Sequence, residues 1–188
     1  MDKLTEKIAF LGAGNMARAI AGGMIRAGLV EPSQIIASDV AEAALDAMEQ
    51  ATGARRASSN AEAATWADVI ILATKPFQVG EVCREIREAL GNPLVISICA
   101  GIPTAAIEEH LGGERRVIRV MPNTPALIRA GSAAVAAGRY STPADLDLAV
   151  RIFRSVGTAI AVDESKLDLV TGLTGSGPAY VFRFMEGL

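Results

Sequence analysis

The chain has 188 residues, of which 51% are hydrophobic and only 4% aromatic, and its formal net charge is −3. That length supports one domain with its own core plus part of a second, and a core made of Ala, Val, Ile and Leu suits helices packed on a parallel sheet. A charge this small, with no basic stripe, argues against a nucleic-acid partner, and apolar runs such as Val69-Ile70-Ile71-Leu72-Ala73 fall far short of the about 20 residues a membrane span needs.

The N-terminus from Met1 to Lys7 carries both signs of charge and leads straight into a strand, so it fits neither a signal nor a transit peptide. Apolar runs predict strands at Lys7–Leu11, Gln34–Ser38, Val69–Thr74, Leu94–Cys99 and Val117–Met121. Helices are predicted between them, at Asn15–Ala27 (closed by Gly28), Ala41–Gln50, Val79–Leu90 and from Pro103 to Leu111. Arg55 and Arg56 lie just before the third strand. Asn60 precedes a helix, where it is either an N-cap or an adenosine contact. Beyond Pro122 two more strands are expected, Gly131–Gly138 and Thr158–Val162, around a helix from Asp145 to Val156.

The regular alternation predicts an α/β fold, a doubly wound and mostly parallel sheet over residues 1–163. Gly175-Ser176-Gly177-Pro178 reads as a turn, with Pro178 at a first helical position. From Ala179 to Leu188 the helix is apolar on nearly all sides, so it must be buried. The chain stops within it without a capping signal, and residues 164–188 are read as the start of a second, all-helical domain that is cut off.

Cys83 and Cys99 have neither CxxC spacing nor a neighbouring His. They read as small buried hydrophobes in a reducing compartment, taken as the cytoplasm. His110, the single histidine, follows Glu108 and Glu109 near a helix end and reads as solvated surface, so no metal site is expected.

Gly12-Ala13-Gly14-Asn15-Met16-Ala17 is a GxGxxA fingerprint placed between a strand and a helix, the context that gives it meaning. Gly12 allows the tight turn, Gly14 lets the backbone approach a pyrophosphate, and Ala17 lets helix and strand pack closely, which is the Rossmann dinucleotide site. The second strand ends at Ser38-Asp39-Val40. Asp39 there would bond a ribose 2′-hydroxyl, favouring NAD, or face solvent; Ser38, with Arg55 and Arg56 nearby, would favour the 2′-phosphate of NADP. The residues leave this choice open. Because ligands bind at the carboxyl ends of parallel strands, Ala73-Thr74-Lys75-Pro76, Ala100-Gly101 and Met121-Pro122-Asn123-Thr124-Pro125 are further candidates. Lys75 is either a phosphate or ribose contact or a solvated loop cation.

The run Leu169-Val170-Thr171-Gly172-Leu173-Thr174-Gly175-Ser176-Gly177-Pro178-Ala179-Tyr180 resembles the signature of the pyrroline-5-carboxylate reductase family. Gly12, Ala73 to Pro76, Cys99-Ala100-Gly101 and Arg119 to Pro125 agree with it, so the resemblance spans essentially the whole chain. It implies hydride transfer from NADPH, with NADH as the alternative, to the C=N carbon of 1-pyrroline-5-carboxylate, giving L-proline. A protonated C=N is already electrophilic, so neither a strong base nor a metal is required. The resemblance assigns the pyrophosphate to Gly12, Ala13, Gly14, Asn15 and Met16, and the adenosine side to Ser38 and Asn60. It places Ala73, Thr74, Lys75, Pro76, Ala100 and Gly101 along the ribose and nicotinamide, and Asn123 and Pro125 near the nicotinamide face. Val40 stands where many members carry a basic residue, which puts strict NADP preference in doubt.

The resemblance also implies a homo-oligomer, a dimer or a ring of dimers, whose helical domain completes the pocket for the substrate carboxylate; the carboxylate-holding and proton-donating residues are expected beyond this chain. Asn123, Ser176 and Gly177 are the candidates nearest the substrate. The N–H groups of Ser176 and Gly177 form either an anion cradle at a helix start or an ordinary cap. Two alternatives remain. One is a Rossmann oxidoreductase of small hydroxy or keto acids, weakened by the scarcity of Lys and His after Lys75. The other is a cofactor-binding module inactive by itself.

Overall fold

Short runs of β-branched and apolar residues, buried on both faces, set the centre of the molecule. They are β1 (Ile8–Leu11), β4 (Val69–Leu72) and β5 (Leu94–Ser97). A strand covered on both sides has no polar face, which is why these read as continuous rather than alternating apolar sequence. The computed structural model describes residues 2–188, and Met1 lies outside the described residues.

The remaining strands are β2 (Ile35–Ser38), β3 (Arg55–Arg56), β6 (Val117–Met121), β7 (Gly131–Ala137) and β8 (Gly157–Ala161). They form one eight-stranded sheet in the order β3-β2-β1-β4-β5-β6-β7-β8. Pairing is parallel from β3 through β6, antiparallel between β6 and β7, and parallel again between β7 and β8. The reversal follows from chain length. Residues 122–130 between β6 and β7 are too few for the crossover a parallel pair needs. In register, Ile8 lies opposite Ile35 on one side and Val69 on the other.

Helices α1 (Asn15–Arg26), α2 (Glu42–Thr52) and α6 (Pro143–Arg154) cover one face. Their buried Ile20, Met24, Leu45, Met48, Ile152 and Phe153 share one core cluster. Helices α3 (Asn60–Trp66), α4 (Val79–Ile86) and α5 (Thr104–Leu111) cover the other, with Ala63, Val82, Ile86, Ile107 and Leu111 in a second cluster. The doubly wound α/β architecture is therefore as the alternation predicts.

Three expectations are corrected. Arg55 and Arg56 are themselves a short edge strand beside β2. The cap of α3 is Ser59, whose side chain accepts the Glu62 N–H, and Asn60 is the first helical residue. The segment Gly175-Ser176-Gly177-Pro178 is not a turn. After a short turn at Glu164–Lys166, the chain runs through α7 (Leu167–Val170), a wide π-helical stretch (Thr171–Ser176) and α8 (Gly177–Glu186) without a break. Pro178 explains the wide stretch. Its ring cannot donate an N–H and would crowd the carbonyl four residues back, so the preceding helix loosens. The hydroxyls of Thr171 and Thr174 donate to the Leu167 and Val170 carbonyls at 2.8 and 3.0 Å.

The expected burial of the last helix is not met within this chain. Every residue of α8 from Ala179 onward is exposed, including Tyr180, Phe182, Phe184 and Met185. Its composition is that of a buried helix, yet among the described residues no element packs over it.

Candidate functional site

The switch point of the sheet lies between β1 and β4, where the chain first builds outward through β2 and then returns to the other side. A cleft of about 610 Å³ opens there, at the carboxyl ends of β1, β2, β4, β5 and β6, a volume in the range of small-molecule sites.

Its floor is the glycine turn. Gly12 has φ +103° and donates its N–H to the Ser38 carbonyl at 2.8 Å, clamping the end of β1 to the end of β2. Gly14 is the N-cap of α1, with φ −69° and no side-chain cap, and the first turn of α1 holds no acidic residue. The N–H groups at the start of α1 are therefore left for a ligand, at the positive end of the helix dipole. Arg18 braces the turn from behind, donating to the Asn15 side chain at 2.5 Å and to the Ala13 carbonyl at 3.3 Å.

Asp39 lines the cleft, and its carboxylate is engaged on the backbone. One carboxylate oxygen accepts the Ala13 N–H at 2.7 Å and the other accepts the Ala41 N–H at 2.9 Å. It locks the glycine turn to the strand end. Ala13 is fully buried behind that bond, so it shapes the cleft without lining it. Val40 is 94% exposed. Ser38 is buried and lines the cleft, and its hydroxyl donates to the Asn60 side-chain oxygen at 2.6 Å.

Neither arginine proposed for a 2′-phosphate lines the cleft. Arg56 is held by Asp46 at 2.6 Å and by Glu49, and Arg55 lies over the Trp66 ring at 5.4 Å. Among the described residues lining the cleft, Lys75 is the sole Lys or Arg, and it belongs to the loop after β4. The Thr74 hydroxyl oxygen in the same loop is buried without a hydrogen-bond partner. An orphaned polar atom on the wall of a cleft is what a polar ligand would satisfy.

Of the other expected residues, Ala73, Pro76, Ala100 and Met16 line the cleft, and Gly101, Asn123 and Pro125 do not. Asn123 is drawn away from it, its side-chain oxygen accepting the Ser132 N–H at 2.8 Å. Ser176 and Gly177 lie within a continuing helix, not at a helix start, so their N–H groups form no anion cradle. The sequence reading missed Ile98, Gln78 and Val82 as lining residues. Gln78 carried a signal, since it sits two residues beyond Lys75-Pro76 and its side chain accepts the Lys75 N–H at 3.2 Å.

Both thiols are buried. Burial pushes the Cys83 thiol up to about 12, and burial raises Cys99 as well. The Cys99 Sγ–H donates to the Thr74 carbonyl at 3.3 Å, which steadies the β4 loop. We expect neither cysteine to be alkylated by iodoacetamide at mildly alkaline pH until denaturant is added; mass spectrometry of the native protein reads this directly. His110 is half-buried, with Nε2 3.0 Å from where a Cβ on Gly80 would sit, so it packs on α4 rather than standing free in solvent.

A buried arginine ties the sheet to the helical segment through carboxylates nearer the surface. Arg119, only 5% exposed in the middle of β6, donates to Asp168 at 2.9 Å and to Glu164 at 3.5 Å. Glu164 also accepts the Thr104 N–H and hydroxyl, both at 2.8 Å, and so caps α5 from a distance. The signal was an arginine inside an apolar strand, Val117-Ile118-Arg119-Val120. We expect Arg119→Leu to destabilise the protein by only about 1 kcal/mol in urea titration, because Asp168 is left in water and Glu164 keeps its bonds to Thr104.

The glycine turn, the uncapped helix start and the orphaned Thr74 hydroxyl together fit a nicotinamide dinucleotide, and the fold and cleft are those of a dinucleotide-dependent oxidoreductase. A family model described as NADP oxidoreductase, coenzyme F420-dependent, matches residues 7–101. A pyrroline-5-carboxylate reductase of Methanosarcina acetivorans is 43% identical over 184 residues, covering 97% of this chain and 68% of the relative. The structure of a pyrroline-5-carboxylate reductase from Coxiella burnetii superimposes with a TM-score of 0.91 at 39% identity, covering 98% of this chain and 69% of that one. A Plasmodium falciparum pyrroline carboxylate reductase with NADP bound gives 0.88 at 32% identity, covering 100% and 69%. The chain belongs to the pyrroline-5-carboxylate reductase family.

Proposed function

We propose that the protein reduces 1-pyrroline-5-carboxylate to L-proline in proline biosynthesis. The observation that carries this is identity of 43% to a reductase of that name over 97% of the chain, with a cleft built for the cofactor. Bound NADPH supplies the hydride that adds to the C=N carbon, and NADH is the alternative donor.

The chain's residues orient that chemistry. Gly12, Gly14, Asn15 and Met16 present the start of α1 to the pyrophosphate, and Asp39 holds the turn still while they do so. Ser38 and Asn60 receive the adenosine ribose. Thr74, whose hydroxyl lacks a partner, and Lys75 contact the ribose or phosphates. Ala73, Pro76 and Ala100 wall the nicotinamide end. The side chains that grip the substrate carboxylate and donate the proton to nitrogen are assigned to none of these residues.

Residues 164–188 are read as the start of a helical dimerisation domain, in a cytoplasmic homo-oligomer. The exposed apolar residues of α8 support that reading, because such a surface favours association. No helix among the described residues is long and apolar enough to cross a membrane.

The test is oxidation of NADPH and of NADH with 1-pyrroline-5-carboxylate, with L-proline quantified as product. Proline formed in step with cofactor oxidised supports the reading. Turnover of small keto acids without any imine reduction would replace it with the hydroxy-acid oxidoreductase. Light scattering on the same sample tests the oligomer, and a monomer overturns that part.

A further inference from the structure

The adenosine end of the cleft contains a chain of hydrogen bonds whose direction is dictated by one carboxylate outside it. Glu85, on α4, accepts the Asn60 Nδ2–H at 2.7 Å. A carboxylate only accepts, so Asn60 must turn its NH₂ toward Glu85 and its carbonyl oxygen the other way. That oxygen lies 2.6 Å from the Ser38 hydroxyl. An amide oxygen also only accepts, so Ser38 must spend its single proton on Asn60. What Ser38 then offers to the cleft is lone pairs.

A ribose 2′-hydroxyl can donate to such an oxygen. A 2′-phosphate cannot, because it needs donors. Asn60 keeps a second Nδ2–H, and against it stand the Ser38 lone pairs and a further carboxylate. Asp39 is a second carboxylate, Val40 carries no charge, and Arg56 is bound by Asp46 and Glu49.

We propose that Glu85 is a cofactor-selecting positioning residue. Acting through Asn60 and Ser38, it makes the ribose end of the cleft a hydrogen-bond acceptor, which lets NADH compete with NADPH. The proposal rests on the reading of this cleft as a dinucleotide site, and its test is binding, so it does not depend on which imine or ketone is reduced.

Dissociation constants for NADH and NADPH are measured by nicotinamide fluorescence on the unsubstituted protein, Glu85→Gln and Glu81→Gln. A glutamine at position 85 can offer its NH₂ to the Asn60 oxygen. Because a glutamine can either donate or accept, Asn60 is then free to turn over, which lets Ser38 keep its proton for a phosphate. Glu85→Gln is expected to shift the NADPH-to-NADH affinity ratio toward NADPH by roughly fivefold, the effect of correcting one hydrogen bond. Glu81→Gln removes the same charge from the same helix without touching the chain of bonds, and should leave the ratio where it was.

A Glu85→Gln protein that weakens both dinucleotides equally reduces Glu85 to a structural contact and overturns the proposal. An equal shift in Glu81→Gln assigns the effect to net charge and overturns it too. If the unsubstituted protein binds neither dinucleotide, the cleft reading and this proposal fall together.

Discussion

Gly14→Val is expected to weaken NADPH at least about a hundredfold, roughly 3 kcal/mol, while leaving the melting temperature of the free protein unchanged. The two halves of that expectation have separate causes. A Cβ on Gly14 would meet no protein atom within 4 Å, and the residue sits at φ −69°, an angle any side chain accepts. The fold therefore has no need of glycine there. The ligand does. Gly14 is the N-cap of α1 and faces the open cleft, so a branched side chain would stand where the pyrophosphate must approach the first N–H groups of the helix. Fluorescence titration with NADPH and a thermal melt of the same sample check both halves. Normal affinity in the variant would remove the pyrophosphate from this turn, and a large loss of stability would show that the glycine serves the fold instead.

How legible the molecule is from its sequence depends on which physical effect sets each feature. The central strands were readable because burial on both faces leaves an unbroken apolar run, as in Val69 to Leu72. The fingerprint was readable because Gly12 holds a positive φ that few residues accept and Gly14 leaves the helix start open to a ligand. What escaped was set by partners distant in sequence. Asp39 reads equally well as a ribose ligand or a solvated strand end, and only the fold brings Ala13, 26 residues earlier, onto its carboxylate. Asn123 reads as a strand-end ligand, but Ser132 claims its oxygen. Arg55 and Arg56 read as cations near a 2′-phosphate, and the acids of α2 and the Trp66 ring take them up.

The C-terminal run shows the same limit at the level of an element. Gly175-Ser176-Gly177-Pro178 has the composition of a turn, and local chemistry alone favours one. The helix continues through it because a π-helical stretch relieves the proline, and Gly175 lies against Met121 at the edge of the cleft, where a Cβ would come within 3.1 Å of the methionine methyl. Small residues in this run thus serve close packing beside the site. The apolar face of α8 is the part for which amphipathicity gave the right composition without a partner. A helix apolar on all sides specifies burial, not what buries it.

Gly12→Ala, two residues from Gly14 and a smaller change, is expected to be the more damaging to the fold. At φ +103° an L-residue is strained before any contact is counted. The added Cβ would then lie 2.6 Å from the Ala73 carbonyl oxygen and 2.7 Å from its carbon, both backbone atoms. Neither side can withdraw. Ala73 is held by its N–H to the Leu11 carbonyl at 2.8 Å, and Gly12 by its own N–H to Ser38 at 2.8 Å. Relief would require parting β1 from β4, the central pair of the sheet. Strain and overpacking together come to about 4 kcal/mol, a large fraction of the roughly 5–15 kcal/mol that holds a domain folded. Urea titration of Gly12→Ala beside Gly14→Ala makes the comparison clean. The first should lose about 4 kcal/mol and the second less than about 1 kcal/mol. Equal stability in the two would mean that the β1 turn and the β4 loop do not approach as closely as described, and with that the floor of the cleft would have to be redrawn.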